Sequence, residues 1–235
     1  MNTQRANNRT CLQGILLLAL ISINASCGDN TVPRATDADS QVNPALKIPA
    51  NAKKVIFLGD SISAGLHLDD PQEESFPALI QKELAQLGQP FHLVNAGVSG
   101  DTSAGGLRRL SWMLAQDPDV LVIELGANDG LRGAPLKSIE DNLRGIIRGA
   151  RKDSVKVLLL GHRLPPNLGK SYTMGFADIF DRLAKEEDIA CVPFFMEGVA
   201  GDPDLNFPDG IHPTAPGHLK LASNVAGAVA RLLKP

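Results

Sequence analysis

From residue 53 to the C-terminus, short runs of consecutive apolar residues alternate with longer segments whose apolar positions recur at i, i+3 and i+4. The runs at Lys54–Leu58, Phe91–Val94, Val120–Glu124, Val155–Leu160 and Ala190–Phe194 predict five strands. Their apolar residues are contiguous rather than alternating, as expected where both faces of a sheet are covered by helices. Phe76–Leu87, Gly105–Ala115, Ser138–Ala150, Thr173–Glu187 and Ala215–Leu233 carry a single apolar stripe each and predict helices. Strand and helix alternate throughout, which requires right-handed crossovers between parallel strands. The pattern therefore predicts an α/β fold, a three-layer α/β/α sandwich around a five-stranded parallel sheet. No internal repeat interrupts it.

The first 52 residues follow another logic. Arg5 and Arg9 precede an apolar stretch from Gly14 to Ile23, the arrangement of a secretory signal. About ten residues are too few to span the roughly 20-residue thickness of a bilayer. Asn24-Ala25-Ser26-Cys27 follows directly and resembles a bacterial lipobox, with small residues before a cysteine that would carry lipid. Residues 1–27 are thus expected to be a signal segment with Cys27 as lipidation site; ordinary cleavage nearby, giving a secreted enzyme, is the alternative. Residues 28–52 are rich in Asp, Asn, Thr and Pro without apolar periodicity, the composition of a solvated tether. Residues 53–235 form the expected catalytic domain.

Composition narrows the partners. The chain has 235 residues, 43% of them hydrophobic, and a formal net charge of −3. There is no basic excess to hold nucleic acid. Cys11, Cys27 and Cys191 are too few and too scattered for a disulfide framework or a thiolate zinc site. Gly169-Lys170-Ser171 ends like a phosphate-binding loop, but Leu164 stands where the first glycine of that loop must be.

Ligands of a parallel sheet bind beyond its carboxyl ends, so the loops leaving the strands carry the candidate chemistry. The first strand runs into Gly59-Asp60-Ser61-Ile62-Ser63-Ala64-Gly65, placing Ser61 at a strand-to-helix turn; a helix cap alone would also use these residues. The second loop, Asn95 to Ser103, is glycine-rich and offers Gly100 N–H to an anion. The third, Glu124 to Gly130, brings Asn128, an uncharged amide donor. Near the end, Asp209 precedes His212 by three residues, close enough to orient the imidazole through Nδ1 and leave Nε2 free to accept a serine proton. A serine hydroxyl needs such a base, an orienter for the base, and donors for the oxyanion. Asp60 and Asp129 are expected to hold their loops, and His67, His92, His162, His218 and Cys191 to have packing or surface roles.

Together, Leu58-Gly-Asp-Ser-Ile-Ser-Ala-Gly65, Ser99-Gly-Asp-Thr-Ser103, Gly126-Ala-Asn-Asp-Gly-Leu-Arg-Gly133, Arg163-Leu-Pro-Pro-Asn167 and Asp209-Gly-Ile-His-Pro213 resemble the SGNH (GDSL-type) hydrolases, in particular their exported thioesterase, lysophospholipase and arylesterase group. The resemblance runs from about Val55 to the C-terminus. It implies the flavodoxin-like SGNH fold, Ser61 as nucleophile, His212 and Asp209 completing a triad, and Ser61, Gly100 and Asn128 as oxyanion hole. It also implies catalysis without metal or organic cofactor, and a small-molecule acyl ester or thioester as the partner of an exported, periplasmic monomer, membrane-anchored if Cys27 is lipidated. Leu131, Leu164, Pro165 and Phe195 are apolar loop residues expected to line an acyl groove. Residues 68–75 and His162 depart from the group's pattern and are expected beside that groove. Two other readings remain at this level: a carbohydrate O-acetylesterase using the same loops, and a non-catalytic binding lipoprotein.

Overall fold

The computed structural model describes residues 46–234; the signal segment, Cys27 and the tether up to residue 45 lie outside the described residues. The end of the tether runs in irregular backbone onto the domain, where Pro49 O lies 3.0 Å from His92 Nε2. Five strands, β1 (Lys54–Gly59), β2 (His92–Asn95), β3 (Val120–Glu124), β4 (Lys156–Leu160) and β5 (Ala190–Val192), form one sheet in the order β2-β1-β3-β4-β5. Every pairing is parallel. The helices are α1 (Ser61–Ala64), α2 (Pro71–Glu74), α3 (Phe76–Gln86), α4 (Ser103–Leu114), α5 (Ala127–Leu131), α6 (Leu136–Lys152), α7 (Lys170–Glu186) and α8 (Ala215–Leu233). None of the described helices is long and apolar enough to cross a membrane.

Side chains of successive strand residues point to opposite faces, and the core divides accordingly. Val55 and Phe57 of β1, Val120 and Val122 of β3, and Leu158 and Leu160 of β4 pack with Phe76, Ile80 and Leu84 of α3 and Leu221, Val225 and Val229 of α8. Ile56, Leu58, Leu121, Ile123, Val157 and Leu159 face the other way, onto Met113 of α4, Ile139, Leu143 and Ile146 of α6, and Phe176 and Phe180 of α7. This two-sided burial explains why the strand runs read as contiguous hydrophobics.

Three expectations need correction. The outer strands β2 and β5 are mostly half-buried rather than buried on both faces, because each has a neighbour on one side only. The last strand ends at Val192 instead of Phe194, since Pro193 has no N–H to continue the ladder. The short helices α1, α2 and α5 have no apolar stripe to announce them; α1 and α2 start from caps, Asp60 and Asp70 accepting from Ile62 N and Gln72 N, while α5 follows Gly126 without a side-chain cap. Cys191 is half-buried in β5, where burial pushes its thiol up to about 12, so it is inert at neutral pH.

Two histidines are buried among these core side chains. His162 packs against Phe180 and Phe195, and His218 Nδ1 accepts from Phe76 N at 3.1 Å. Burial pushes His162 down to about 3 and His218 to about 4, so both are neutral near pH 7. The folded chain therefore binds fewer protons than the unfolded chain between these values and the ordinary imidazole value of about 6.5. Their contribution to stability is complete above that value and is lost as the pH falls. Asp60 and Glu124, whose values are raised, act in the opposite sense. Comparing His162→Leu with the parent isolates one term: between pH 6 and 4.5 the parent should lose about 1.4 kcal/mol per pH unit more than the variant in urea denaturation. Parallel pH curves would contradict neutral burial of His162.

Candidate active site

The order β2-β1-β3-β4-β5 reverses direction between β1 and β3, and ligand sites of such sheets lie beyond the strand ends at that point. Ser61 leaves β1 there. It is the first residue of α1, where backbone N–H groups have no intrahelical acceptor, and Asp60 Oδ1 accepts from Ile62 N at 3.0 Å. The turn is held from below by Glu124, the last residue of β3. Glu124 Oε2 accepts from Asp60 N at 3.2 Å, Ser63 N at 3.2 Å and Ser63 Oγ at 2.8 Å. Gly59 has to be glycine, because a Cβ would collide with Ser63 and with Glu124 Oε2.

Glu124 is fully buried. Burial, with the neighbouring Asp60 carboxylate, pushes its carboxyl well above the usual range. Oε2 is occupied by three donors, which leaves Oε1 as the oxygen on which a proton would sit. That atom faces His162 Nε2 at 3.4 Å, and these two buried polar atoms otherwise lack partners. Asp60 is also raised, to about 6, by burial against the lowering effect of its bonds from Ile62 N and Asn128 Nδ2. His162, expected beside the acyl groove, instead lies against Glu124 under the Ser61 turn.

The other strand ends meet this turn. Arg109 of α4 joins the ends of β1 and β2: Nη2 donates to Gly59 O at 2.9 Å, Nη1 to Ala96 O at 2.6 Å, and Nε to Asp101 Oδ2 at 2.8 Å. Asn95 Nδ2 donates to Ser63 O at 2.6 Å. Gly100 adopts φ +77°, a left-handed backbone suited to glycine, and its carbonyl accepts from Arg132 Nη2 at 3.2 Å. Asn128, in α5, donates from Nδ2 to Asp60 Oδ2 at 2.9 Å, leaving the second amide hydrogen for another acceptor. Asp129 accepts from Ser103 N at 2.7 Å and Ser103 Oγ at 2.8 Å, tying α5 to α4.

The loop before α8 supplies the rest. Asp209 Oδ1 accepts from Ile211 N at 2.8 Å and His212 N at 3.0 Å, while Oδ2 lies 2.7 Å from His212 Nδ1. His212 Nε2 is 2.9 Å from Ser61 Oγ. Partial desolvation pulls the Asp209 carboxyl upward, but the bonds from His212 N, His212 Nδ1 and Ile211 N outweigh it and set it at about 2. An ionised Asp209 keeps a proton on Nδ1, so Nε2 presents its lone pair to the serine hydroxyl.

The structure thus brings Ser61, His212 and Asp209 into one hydrogen-bonded chain, with Asn128 linked to it through Asp60. Leu131 is exposed, Pro165 is exposed, and Leu164 leans on Gly130. Phe195 is fully buried between Phe76 and His162 and cannot meet an acyl chain; it belongs to the core. Within 68–75, Pro71, Gln72 and Ser75 line a cleft of about 320 Å³ with Ala64, Asn95 and Gly97. Glu124 and Arg109 were missed from the sequence. A carboxylate ending the apolar run Val120-Leu-Val-Ile-Glu124 was the available signal for the first; for the second there was none.

Residues 57–220 match the model of the GDSL-like lipase and acylhydrolase family. The chain belongs to that family, the SGNH hydrolases, and is an ester-bond hydrolase. It is 47% identical to the esterase TesA of Pseudomonas aeruginosa over 177 residues, 75% of this chain and 87% of the relative. It is 42% identical to an arylesterase of Vibrio mimicus over 69% of this chain and 80% of the relative. Thioesterase 1/protease 1/lysophospholipase L1 of Escherichia coli is 41% identical over 70% of this chain and 77% of its own length. Among solved structures, that of TesA superposes with a TM-score of 0.73 at 45% identity, covering 77% of this chain and 99% of its own. The SGNH-family esterase AlinE4 superposes at 0.65 and 40% identity, covering 80% of this chain and 100% of its own.

The upward shift of Glu124 leads to the expectation of a neutral acid, which mutation can test. Glu124→Gln keeps an uncharged group with an acceptor oxygen, whereas Glu124→Ala strands Asp60 N, Ser63 N and Ser63 Oγ. The alanine variant should lose about 2–4 kcal/mol in urea denaturation and most ester turnover, and the glutamine variant should retain both largely. Equal damage from the two substitutions would show that an ionised carboxylate is required.

Proposed function

We propose that the chain is an exported serine hydrolase that cleaves carboxylic esters and thioesters through a Ser61–His212–Asp209 triad and an acyl-enzyme. The observation that carries this reading is the chain Ser61 Oγ, 2.9 Å to His212 Nε2, and His212 Nδ1, 2.7 Å to Asp209 Oδ2. His212 takes the hydroxyl proton through Nε2 as Ser61 Oγ attacks the carbonyl carbon. Asp209, ionised, stabilises the imidazolium that results. Ser61 N–H, Gly100 N–H and the free hydrogen of Asn128 Nδ2 form the oxyanion hole. The bond from Asn128 to Asp60 orients the amide in advance, so the donor is in place before charge develops. His212 then protonates the departing alcohol or thiol, and activates the water that releases the acid.

The rim supports acyl substrates over sugars. Val98, Leu131 and Ile211 are 50%, 37% and 44% exposed, on the same three segments as Gly100, Asn128 and His212. Leu164 and Pro165 extend this surface. Such a surface suits a hydrocarbon chain, and the esterase, arylesterase and thioesterase names of the relatives agree with it. The signal-like segment of residues 1–27 supports export to the periplasm, and Cys27 is the site through which lipid would anchor the enzyme.

Hydrolysis of p-nitrophenyl esters from acetate to palmitate, by the native chain and by Ser61→Ala, tests the reading. The native enzyme should turn over with an optimum above acetate, and the variant should fall by about 10⁴-fold or more. A confined optimum at acetate would favour a deacetylase, and undiminished turnover by Ser61→Ala would remove the serine mechanism.

A further inference from the structure

Beside the triad stands a residue that the proposed reaction does not use. His67 follows α1 in a left-handed backbone (φ +74°), a conformation uncommon outside glycine. Its ring is fixed edge-on between Phe207, at 5.4 Å, and His212, at 5.3 Å. Nε2 of His67 lies 3.6 Å from Asp209 Oδ2, beyond a hydrogen bond but aimed at the oxygen that pairs with His212. One ligand atom from each of His67, Asp209 and His212 lies within 4.8 Å of the other two. The His67 and Asp209 side chains are 49% and 36% exposed, so solvent reaches this side of the triad.

We propose that His67, Asp209 and His212 form an inhibitory site for a divalent transition-metal ion of the zinc or copper kind. The proposal rests on the triad assigned above. Two imidazoles and one carboxylate are the donors such ions prefer. Bonds of about 2.0–2.2 Å at tetrahedral angles separate neighbouring ligand atoms by about 3.3 Å. The separations of 2.7 Å between Asp209 Oδ2 and His212 Nδ1 and 3.6 Å between Asp209 Oδ2 and His67 Nε2 lie on either side of that value. Side-chain rotation of a few tenths of an ångström brings both into range. Water completes the coordination, which keeps the site open and the binding reversible.

Occupancy stops catalysis by a defined change. The ion takes the Nδ1 lone pair of His212, and the single proton of the neutral imidazole then resides on Nε2. Nε2–H donates to Ser61 Oγ and cannot accept its proton, so the general base is lost. Asp209 is diverted to the ion at the same time. Metal and water ligands exchange, one proton changes nitrogen on one ring, and no oxidant or reductant is involved. Mg²⁺ and Ca²⁺, which favour oxygen donors, do not compete for this set.

The test compares the full chain with His67→Gln and His67→Asn, the second chosen because asparagine tolerates a left-handed backbone. Each is assayed in chelator and at rising Zn²⁺, so that every variant is its own reference. The native enzyme should lose activity reversibly to Zn²⁺ and more readily to Cu²⁺ than to Ni²⁺, while Mg²⁺ has no effect. Both His67 variants should need at least about tenfold more Zn²⁺ for half-inhibition. Binding is read independently of activity by equilibrium dialysis of Zn²⁺ against Ser61→Ala, which should hold one more ion per chain than Ser61→Ala/His67→Gln. Equal Zn²⁺ sensitivity of native and His67 variants, or equal binding by the two dialysed proteins, overturns the site. A failure of the triad itself would show separately, as ester turnover by Ser61→Ala in chelator.

Discussion

At the junction of β1 and α1, one buried carboxyl oxygen accepts three hydrogen bonds: Glu124 Oε2 receives Asp60 N, Ser63 N and Ser63 Oγ. The serine sits on a single turn of helix whose Ile62 is buried in the core, and these bonds fix the residues on either side of it. Holding a carboxyl group at full burial is costly unless it is neutral and bonded. Oε2 is bonded three times, and the upward shift of the carboxyl favours its neutral form, with Oε1 3.4 Å from His162 Nε2. The Ser61 turn is thus braced by a buried carboxyl group.

The remaining loops are bound to that turn rather than to one another alone. Arg109 reaches the β1 and β2 ends through Gly59 O, Ala96 O and Asp101, Asn128 reaches Asp60 from the β3 end, and His212 reaches Ser61 from the loop before α8. These contacts bridge gaps of up to 151 residues in sequence. A preorganised site of this kind has little reorganisation left to do when charge develops on the substrate oxygen. The same crowding explains why His67, drawn in beside Asp209, stands within metal-binding reach of the base.

The architecture was legible because period and burial agree. Contiguous apolar runs at β1, β3 and β4 mark strands covered on both faces, and the stripes of α3, α4, α6, α7 and α8 mark their covers. Edge strands misled, since the run Phe91–Val94 is apolar enough to suggest full burial, while β2 has only β1 beside it. Ser61, Gly100, Asn128, Asp209 and His212 stood out as candidates because short motifs put each in a loop where chemistry is expected, and the fold brings Ser61, Asp209 and His212 into hydrogen-bonding reach. Phe195 was misplaced because adjacency to a loop was taken for adjacency to the groove; the chain turns inward after Pro193 and buries it. Glu124, Arg109 and His67 act across long sequence separations, and no local pattern could pair them with their partners.

The most direct test of the account is labelling by a fluorophosphonate followed by mass spectrometry of the peptides. The native chain should take up one phosphonyl group, on Ser61, and His212→Ala, which lacks the base, should take up little over the same period. No adduct on folded native protein, or an adduct on a residue other than Ser61, would contradict the claim that this serine is the activated nucleophile.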